Sequence, residues 1–213
     1  MLYASYSEQD LNAMQKKLVF ATNNEHKLEE IKAIIGDGYD ILSLKEIGCD
    51  SDIPETAATL EGNALQKARW IHERFGCDCF ADDTGLEVKA LDGEPGVLSA
   101  RYAQSNGRGD GHDAEANSRL LLERLDGCTD RAARFRTVIA LILNGREILA
   151  EGIVNGVIAT SPRGSDGFGY DPLFIPEGEE RTFAEMDASE KNAISHRRRA
   201  ADELLKVLET SFI

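Results

Sequence analysis

The stretch Lys17-Leu18-Val19-Phe20-Ala21-Thr22-Asn23-Asn24-Glu25-His26-Lys27 carries an apolar run into a polar loop and then changes period. Lys17 to Ala21 reads as a buried strand, because a short apolar run bounded by turn-forming residues is too brief for a helix. From Glu25 onward Leu28, Ile31, Ile34 and Ile35 fall on one helical stripe, which Gly36-Asp37-Gly38 stops. Tyr39 to Leu44 alternates as a second strand. Strand, helix and strand in so short a stretch predict an α/β protein.

Working outward, the residues before Lys17 show no period and read as an extension, 1–16, outside a domain that spans 17–213. Thr59 to Phe75 is a second helix, with Leu60, Ala64, Leu65, Ala68 and Ile71 on its apolar side. Cys79-Phe80-Ala81 reads as a short buried strand whose end carries Asp82-Asp83, and Asp92-Gly93-Glu94-Pro95-Gly96 is turn chemistry. His112 to Leu125 is helical. Arg134 to Leu143, Asn144-Gly145 and Arg146 to Ile158 form a long hairpin with an Asn-Gly turn. A last helix is expected from about Asn192 to Phe212.

Composition narrows the function classes. The chain has 213 residues, with 38 Asp plus Glu against 24 Lys plus Arg and a net charge of −14, so it lacks the cationic surface that non-specific polynucleotide binding needs. Small nucleotides remain open, because a divalent metal and a few local cations neutralise a phosphate chain. Val138 to Leu143 is the longest uninterrupted apolar run, far short of the roughly 20 residues of a membrane span. The start, MLYASYSEQD, lacks a basic segment followed by an apolar one, so no secretory signal is read and a cytoplasmic protein is expected. Of Cys49, Cys77, Cys79 and Cys128 only the middle two are close, and C-x-C alone is not a zinc spacing. Reduced thiols are expected.

Polar chemistry concentrates in five places. Thr22 to Lys27 joins a strand to a helix start, where unpaired N–H groups and the helix dipole favour anions, although a plain N-cap explains the same residues. Glu55 follows Pro54 in an acidic loop and offers a carboxylate to a hard cation. Asp82-Asp83-Thr84-Gly85 sets two carboxylates side by side, a repulsion that a cation relieves, and magnesium typically takes one or two carboxylates plus substrate phosphates. In Gly167-Phe168-Gly169-Tyr170-Asp171-Pro172 the glycines admit close backbone approach, and two aromatic rings offer flat surfaces to a base. Lys191 and Ser195-His196-Arg197-Arg198-Arg199 form the one dense cationic cluster, in which Arg198 and Arg199 read as surface pairs. His72 and His112 have no metal-ligand partners nearby, and neither G-x-x-x-x-G-K-[ST] nor H-E-x-x-H is present.

These five places, in this order, resemble the Ham1-like family of purine nucleoside triphosphate pyrophosphatases (inosine triphosphatase, XTP/dITP diphosphatase). The resemblance is carried by Phe20 to Lys27, Glu55-Thr56, Gly62-Asn63-Ala64-Leu65-Gln66-Lys67-Ala68 and Ala81-Asp82-Asp83-Thr84-Gly85-Leu86. It continues through Gly96-Val97-Leu98-Ser99-Ala100-Arg101-Tyr102, Gly167 to Pro172 and Glu190 to Arg197. It implies hydrolysis of ITP, dITP and XTP to monophosphate and pyrophosphate with Mg2+, in an elongated two-lobed single α/β domain. A central mixed twisted sheet flanked by helices, a cleft between the lobes and a homodimer are implied with it.

Carried over, Thr22, Asn23, Asn24, Glu25, His26 and Lys27 would hold the triphosphate, and Glu55 and Asp83 the magnesium. Asp83 would accept the proton of the attacking water and Thr84 would contact substrate. Phe168, Gly169, Tyr170, Asp171, Lys191, His196 and Arg197 would surround the nucleoside. Many relatives carry Glu directly before the Asn-Ala of the second helix, where this chain has Gly62, so Glu61 stays outside the expected site. The competing readings are a Maf-like pyrophosphatase, disfavoured by the Gly167 loop and Ser195-His196-Arg197, and a non-catalytic nucleotide sensor. The sensor would lack Glu55, Asp83 or Lys27, and all three are present.

Overall fold

Strand β1 (Lys16–Phe20) lies in parallel between β2 (Tyr39–Leu42) and β3 (Cys79–Val88), and helix α1 (Glu25–Ile35) makes the first crossover. The computed structural model describes residues 16–109, 111 and 113–210, so most of the expected N-terminal extension, together with His112 and Phe212, lies outside the described residues. Asn24 starts α1 by accepting from the Lys27 N–H at 3.2 Å, and Gly36, at φ 65°, ends it. Helix α2 (Leu60–Phe75) is capped by Thr59 and closed by Gly76 in the left-handed region.

The other half of the sheet is antiparallel. β3 pairs with β5 (Ala132–Leu143), β5 with β6 (Arg146–Ile158) and β6 with β7 (Phe174–Pro176), giving the order β2-β1-β3-β5-β6-β7, with β4 (Pro95–Gly96) on β3 off this path. Asn144 and Gly145 both take positive φ, 50° and 74°, as a two-residue hairpin turn requires. Short α3 (Tyr102–Ser105) and α4 (Ala114–Arg124) follow β4, and α5 (Ala188–Ile194) and α6 (His196–Thr210) close the chain. This is a single α/β domain with a mixed sheet flanked by helices. No helix among the described residues is long and apolar enough to cross a membrane, and all four cysteines are free thiols.

Three main apolar clusters divide the sheet along its strands. Phe80, Ile139 and Leu141 pack under α1 and α6 on one face, while Cys79, Ala81, Val138 and Ala140 pack under α2 on the other. Further along the same strands, Leu86, Val88, Phe135 and Val154 belong to a separate core with Leu121, Phe174 and Phe183. Between them β3 carries Asp82, Asp83 and Thr84, opposite Ile139, Val138 and Thr137 of β5. The polar residues mark the gap between two cores.

That arrangement corrects two expectations. Asp82-Asp83 do not end a strand in a loop: β3 continues through them to Val88, because β5 pairs with it throughout while β1 leaves after Phe80. Successive strand residues face opposite sides, so the two carboxylates point apart and do not confront each other. Nor is there one terminal helix. Ser195, at ψ 155°, separates α5 from α6, and its Oγ accepts from the Arg198 N–H at 3.1 Å to start α6.

Candidate active site

The departure of β1 exposes the β3 edge to a cleft of about 970 Å³. Every residue expected at the site lines it: Thr22, Asn23, Asn24, Glu25, His26, Lys27, Glu55, Asp83, Thr84, Phe168, Gly169, Tyr170, Asp171, Lys191, His196 and Arg197. The first group enters from the β1–α1 turn, where Thr22 Oγ1 accepts from the Asn24 N–H at 3.2 Å and shapes the entry to the helix.

Asp83 looks toward α2. Its Oδ2 accepts from Asn63 Nδ2 at 3.0 Å, and its Oδ1 lies 3.9 Å from Lys67 Nζ. The same ammonium pairs closely with Glu55 Oε1 and so sits between the two carboxylates. Burial alone would lower the Lys67 pKa, but the charges of Asp82, Asp83 and Glu55 outweigh it and raise it. Burial also raises the Asp83 carboxyl above the usual carboxylate value, against the pull of Lys67 and Lys27. Among the described residues no cluster of three or more His, Cys, Asp or Glu is arranged for a metal. Two carboxylates converging on one cation fit a divalent ion whose remaining oxygens come from phosphate and water.

Asp82 looks the other way. Fully buried, it accepts from Lys27 Nζ at 3.0 Å and lies 3.6 Å from Arg197 Nε, while Thr84 Oγ1 donates to it at 3.3 Å. Burial opposes its ionisation, but Lys27, Arg197 and Lys67 prevail and hold it far below the usual carboxylate range. Asp82 therefore anchors cations on the face opposite Glu55.

The far end of the cleft is aromatic and cationic. Phe168 presents its ring, with Lys191 Nζ at 4.7 Å and Arg197 Cζ at 5.7 Å from the centroid and the His26 ring stacked at 5.6 Å. Asp171 Oδ2 accepts from the Phe168 N–H at 2.8 Å and from Lys191 Nζ at 2.9 Å, which fixes the glycine loop. Tyr170 is buried and does not present its ring as a free platform. Its hydroxyl donates to the Ser99 carbonyl at 3.0 Å and ties the loop to the opposite wall. His196 stacks on Phe135 at 4.6 Å, and burial first, then Arg197 and Lys191, hold its pKa well below the ordinary value. Three buried side-chain atoms at this end make no hydrogen bond: His196 Nδ1, Arg197 Nη2 and Arg197 Nε, which faces Asp82 at 3.6 Å.

A profile of the Ham1 family matches residues 18–207. The chain belongs to this family. It is 56% identical over 190 residues to a dITP/XTP pyrophosphatase of Porphyromonas gingivalis, covering 89% of this chain and 95% of that one. A dITP/XTP pyrophosphatase of Flavobacterium johnsoniae is 48% identical over 192 residues, with 90% and 97% covered. The structure of the Staphylococcus aureus Ham1 protein superposes with a TM-score of 0.82 at 39% identity, covering 92% of this chain and all of that one.

Sequence reasoning missed three Ham1 residues that build the site. Asn63 and Lys67 lie four apart on the α2 stripe that also buries Leu60, Ala64, Ala68 and Ile71. Polar side chains on an otherwise apolar stripe were the available signal. Glu30, on α1, receives both Lys191 and Arg197. Glu61, set aside from the sequence, pairs with Arg136 and does not line the cleft. Arg198 pairs with Asp202 at 2.9 Å on the surface, and Arg199 donates to the Ile153 carbonyl.

Proposed function

We propose that this protein hydrolyses ITP, dITP and XTP to the monophosphate and pyrophosphate by water attack at the α-phosphorus. The observation that carries this reading is the division of labour across β3. One strand sends Asp83 toward Glu55 and Lys67 in the cleft, and the buried Asp82 toward Lys27 and Arg197, which line the same cleft along its way to an aromatic pocket. The names of the relatives support the substrate class.

The triphosphate lies over the α1 N-terminus, where Thr22, Asn23, Asn24, Glu25 and His26 shape the backbone donors and Lys27 supplies positive charge. Glu55 and Asp83 would hold Mg2+, which when bound would neutralise phosphoryl oxygens and acidify an attacking water. Asp83 accepts the proton of that water, a role its burial favours, and Thr84 hydrogen-bonds the substrate. Lys67 keeps Glu55 and Asp83 facing one another.

The base stacks against Phe168, with Gly169, Tyr170 and Asp171 forming the loop around it. Lys191 is already shared between Glu30 and Asp171, so it supports the loop and the Phe168 face. Arg197, whose Nε and Nη2 make no hydrogen bond, and His196 beside it meet the 6-oxo group of hypoxanthine or xanthine. Adenine presents an amino donor at the same place and leaves the guanidinium unmatched, which disfavours it. We read the working form as a cytoplasmic homodimer, for which sedimentation of the purified protein is the check.

Product analysis with ITP, XTP, dITP, ATP, GTP, UTP and CTP, each with Mg2+ or EDTA, tests the reading. Monophosphate and pyrophosphate from the first three, abolished by EDTA, are expected. Release of orthophosphate and diphosphate would move the attack to the terminal phosphorus and overturn the mechanism.

A further inference from the structure

Helix α2 holds the segment that carries Glu55 residue by residue, in reverse order. Asn63, Gln66 and Lys67 stand at i, i+3 and i+4 on one face of the helix. Asn63 Oδ1 accepts from the Ala57 N–H at 2.9 Å, Gln66 takes Thr56, and Lys67 pairs with Glu55. The Gln66 amide grips Thr56 twice: Oε1 accepts from its N–H at 2.9 Å, and Nε2 donates to its Oγ1 at 2.9 Å. Residues 50–58 make no backbone-to-backbone hydrogen bond to any described residue, so side chains fix the segment. One further hydrogen bond reaches Glu55 among the described residues, from Arg101 Nη2 to its carbonyl, and it is long at 3.5 Å.

We propose that Gln66 is a positioning residue that sets how tightly Glu55 and Asp83 hold Mg2+, an inference resting on the reading of those two carboxylates as the metal pair. Lys67 cannot do this alone. A divalent ion between Glu55 and Asp83 competes with its ammonium for the same carboxylates, so the charge pair loosens when the ion arrives. The Gln66 amide is neutral and grips the residue beside Glu55, leaving the carboxylate itself free, so its bonds persist with or without the ion. Without Gln66 the segment is less ordered before the ion binds, and binding then carries the entropic cost of ordering it. Asn63, 1% exposed, also donates to Asp83 Oδ2 at 3.0 Å, so its removal would disturb both ligands at once. Gln66 hydrogen-bonds neither carboxylate and does not line the cleft, so its replacement isolates the positioning effect.

In the full chain, Gln66→Leu removes both bonds to Thr56, and Thr56→Val removes only the hydroxyl one. The readouts are Mn2+ binding to the nucleotide-free protein by electron paramagnetic resonance, the Mg2+ dependence of dITP turnover, and thermal unfolding. For Gln66→Leu, Mn2+ affinity and the apparent affinity for Mg2+ should each fall about ten-fold, the low end for a group that supports a metal ligand, because Thr56 is exposed. At saturating Mg2+, kcat should stay near the wild-type value. Thr56→Val should lose less, and adding it to Gln66→Leu should cost nothing more. A lower Tm with unchanged Mn2+ binding and Mg2+ dependence would leave Gln66 a structural tie and overturn the proposal, as would a fall in kcat that Mg2+ does not recover. If Gln66→Leu does not fold, wild-type metal affinity in Thr56→Val overturns it as well. A wild type that neither binds Mn2+ nor needs Mg2+ would sink the metal reading, and this inference with it. A metal-dependent wild type whose variants match it would sink the inference alone.

Discussion

Gly152 holds the first turn of α6 against the sheet, and replacing it by alanine perturbs the base end of the cleft from a position that does not itself line it. Gly152 lies in β6 opposite Thr137. A Cβ there would fall 2.1 Å from the His196 carbonyl oxygen, 2.3 Å from Ala200 N and 3.0 Å from Ala200 Cα. All three are backbone atoms, so no side chain can swing aside and relief requires α6 to lift by about 1 Å. Overpacking of this kind costs about 1–3 kcal/mol, and each kcal/mol lowers Tm by about 2–4 °C in a chain of this size. His196 and Arg197 ride on the lifted turn, and about 1 Å of misplacement costs on the order of 100-fold in rate. Gly152→Ala should therefore lower both Tm and kcat/KM for dITP, with tripolyphosphate inhibition little changed because Lys27 sits on α1. Gly38→Ala, where an added Cβ meets nothing within 4 Å, is the matched control. Wild-type turnover in Gly152→Ala, with or without a lower Tm, would refute the claim that this contact positions the base-reading residues.

Asp83→Asn should cut kcat about 10²–10⁴-fold, the usual contribution of a general base, while KM stays close to wild type; equal losses in binding and turnover would make Asp83 a binding group only. Lys67→Met leaves Glu55 and Asp83 facing each other without a cation. The cost in EDTA should be on the order of 1–3 kcal/mol, below that of a fully buried pair because Glu55 is about one-third exposed, and Mg2+ should recover Tm more in this variant than in wild type. His196 is held neutral by burial, so between its ordinary pKa and its lowered folded value the unfolded chain binds a proton that the folded chain refuses. Stability should fall as pH drops below about 6.5, and His196→Phe should flatten that slope in thermal unfolding measured from pH 7.5 to 5.

The local architecture was legible wherever one rule governed. The β5–β6 hairpin needed only alternation and Asn144-Gly145, and α1 needed only its stripe, Asn24 and Gly36. The reading failed where two rules competed. Asp82-Asp83-Thr84 looks like the end of a strand, because polar residues interrupt the apolar run. Yet the β5 ladder pairs with them residue for residue, and that pairing holds them extended. The terminal helix looked continuous because its apolar spacing hardly changes across Ser195, while the cap that breaks it is a single hydroxyl.

The site was legible as a set of residues and not as a wiring diagram. Motifs mark the side chains that reach the cleft, and each of those does line it. The supporting groups carry weaker marks. Lys67 and Asn63 are polar positions on an apolar stripe, detectable but ambiguous, since a lysine there can also reach outward along its stem. Glu30 has no mark at all: it is an acid on an amphipathic helix, and its partner Lys191 lies 161 residues away. Its two ion pairs come from the break at Ser195, which lets α5 and α6 deliver Lys191 and Arg197 to the same carboxylate. A pairing that depends on where two helices are interrupted is a property of the tertiary structure. The charged pairs hardest to read from the sequence are therefore those whose partners it keeps furthest apart.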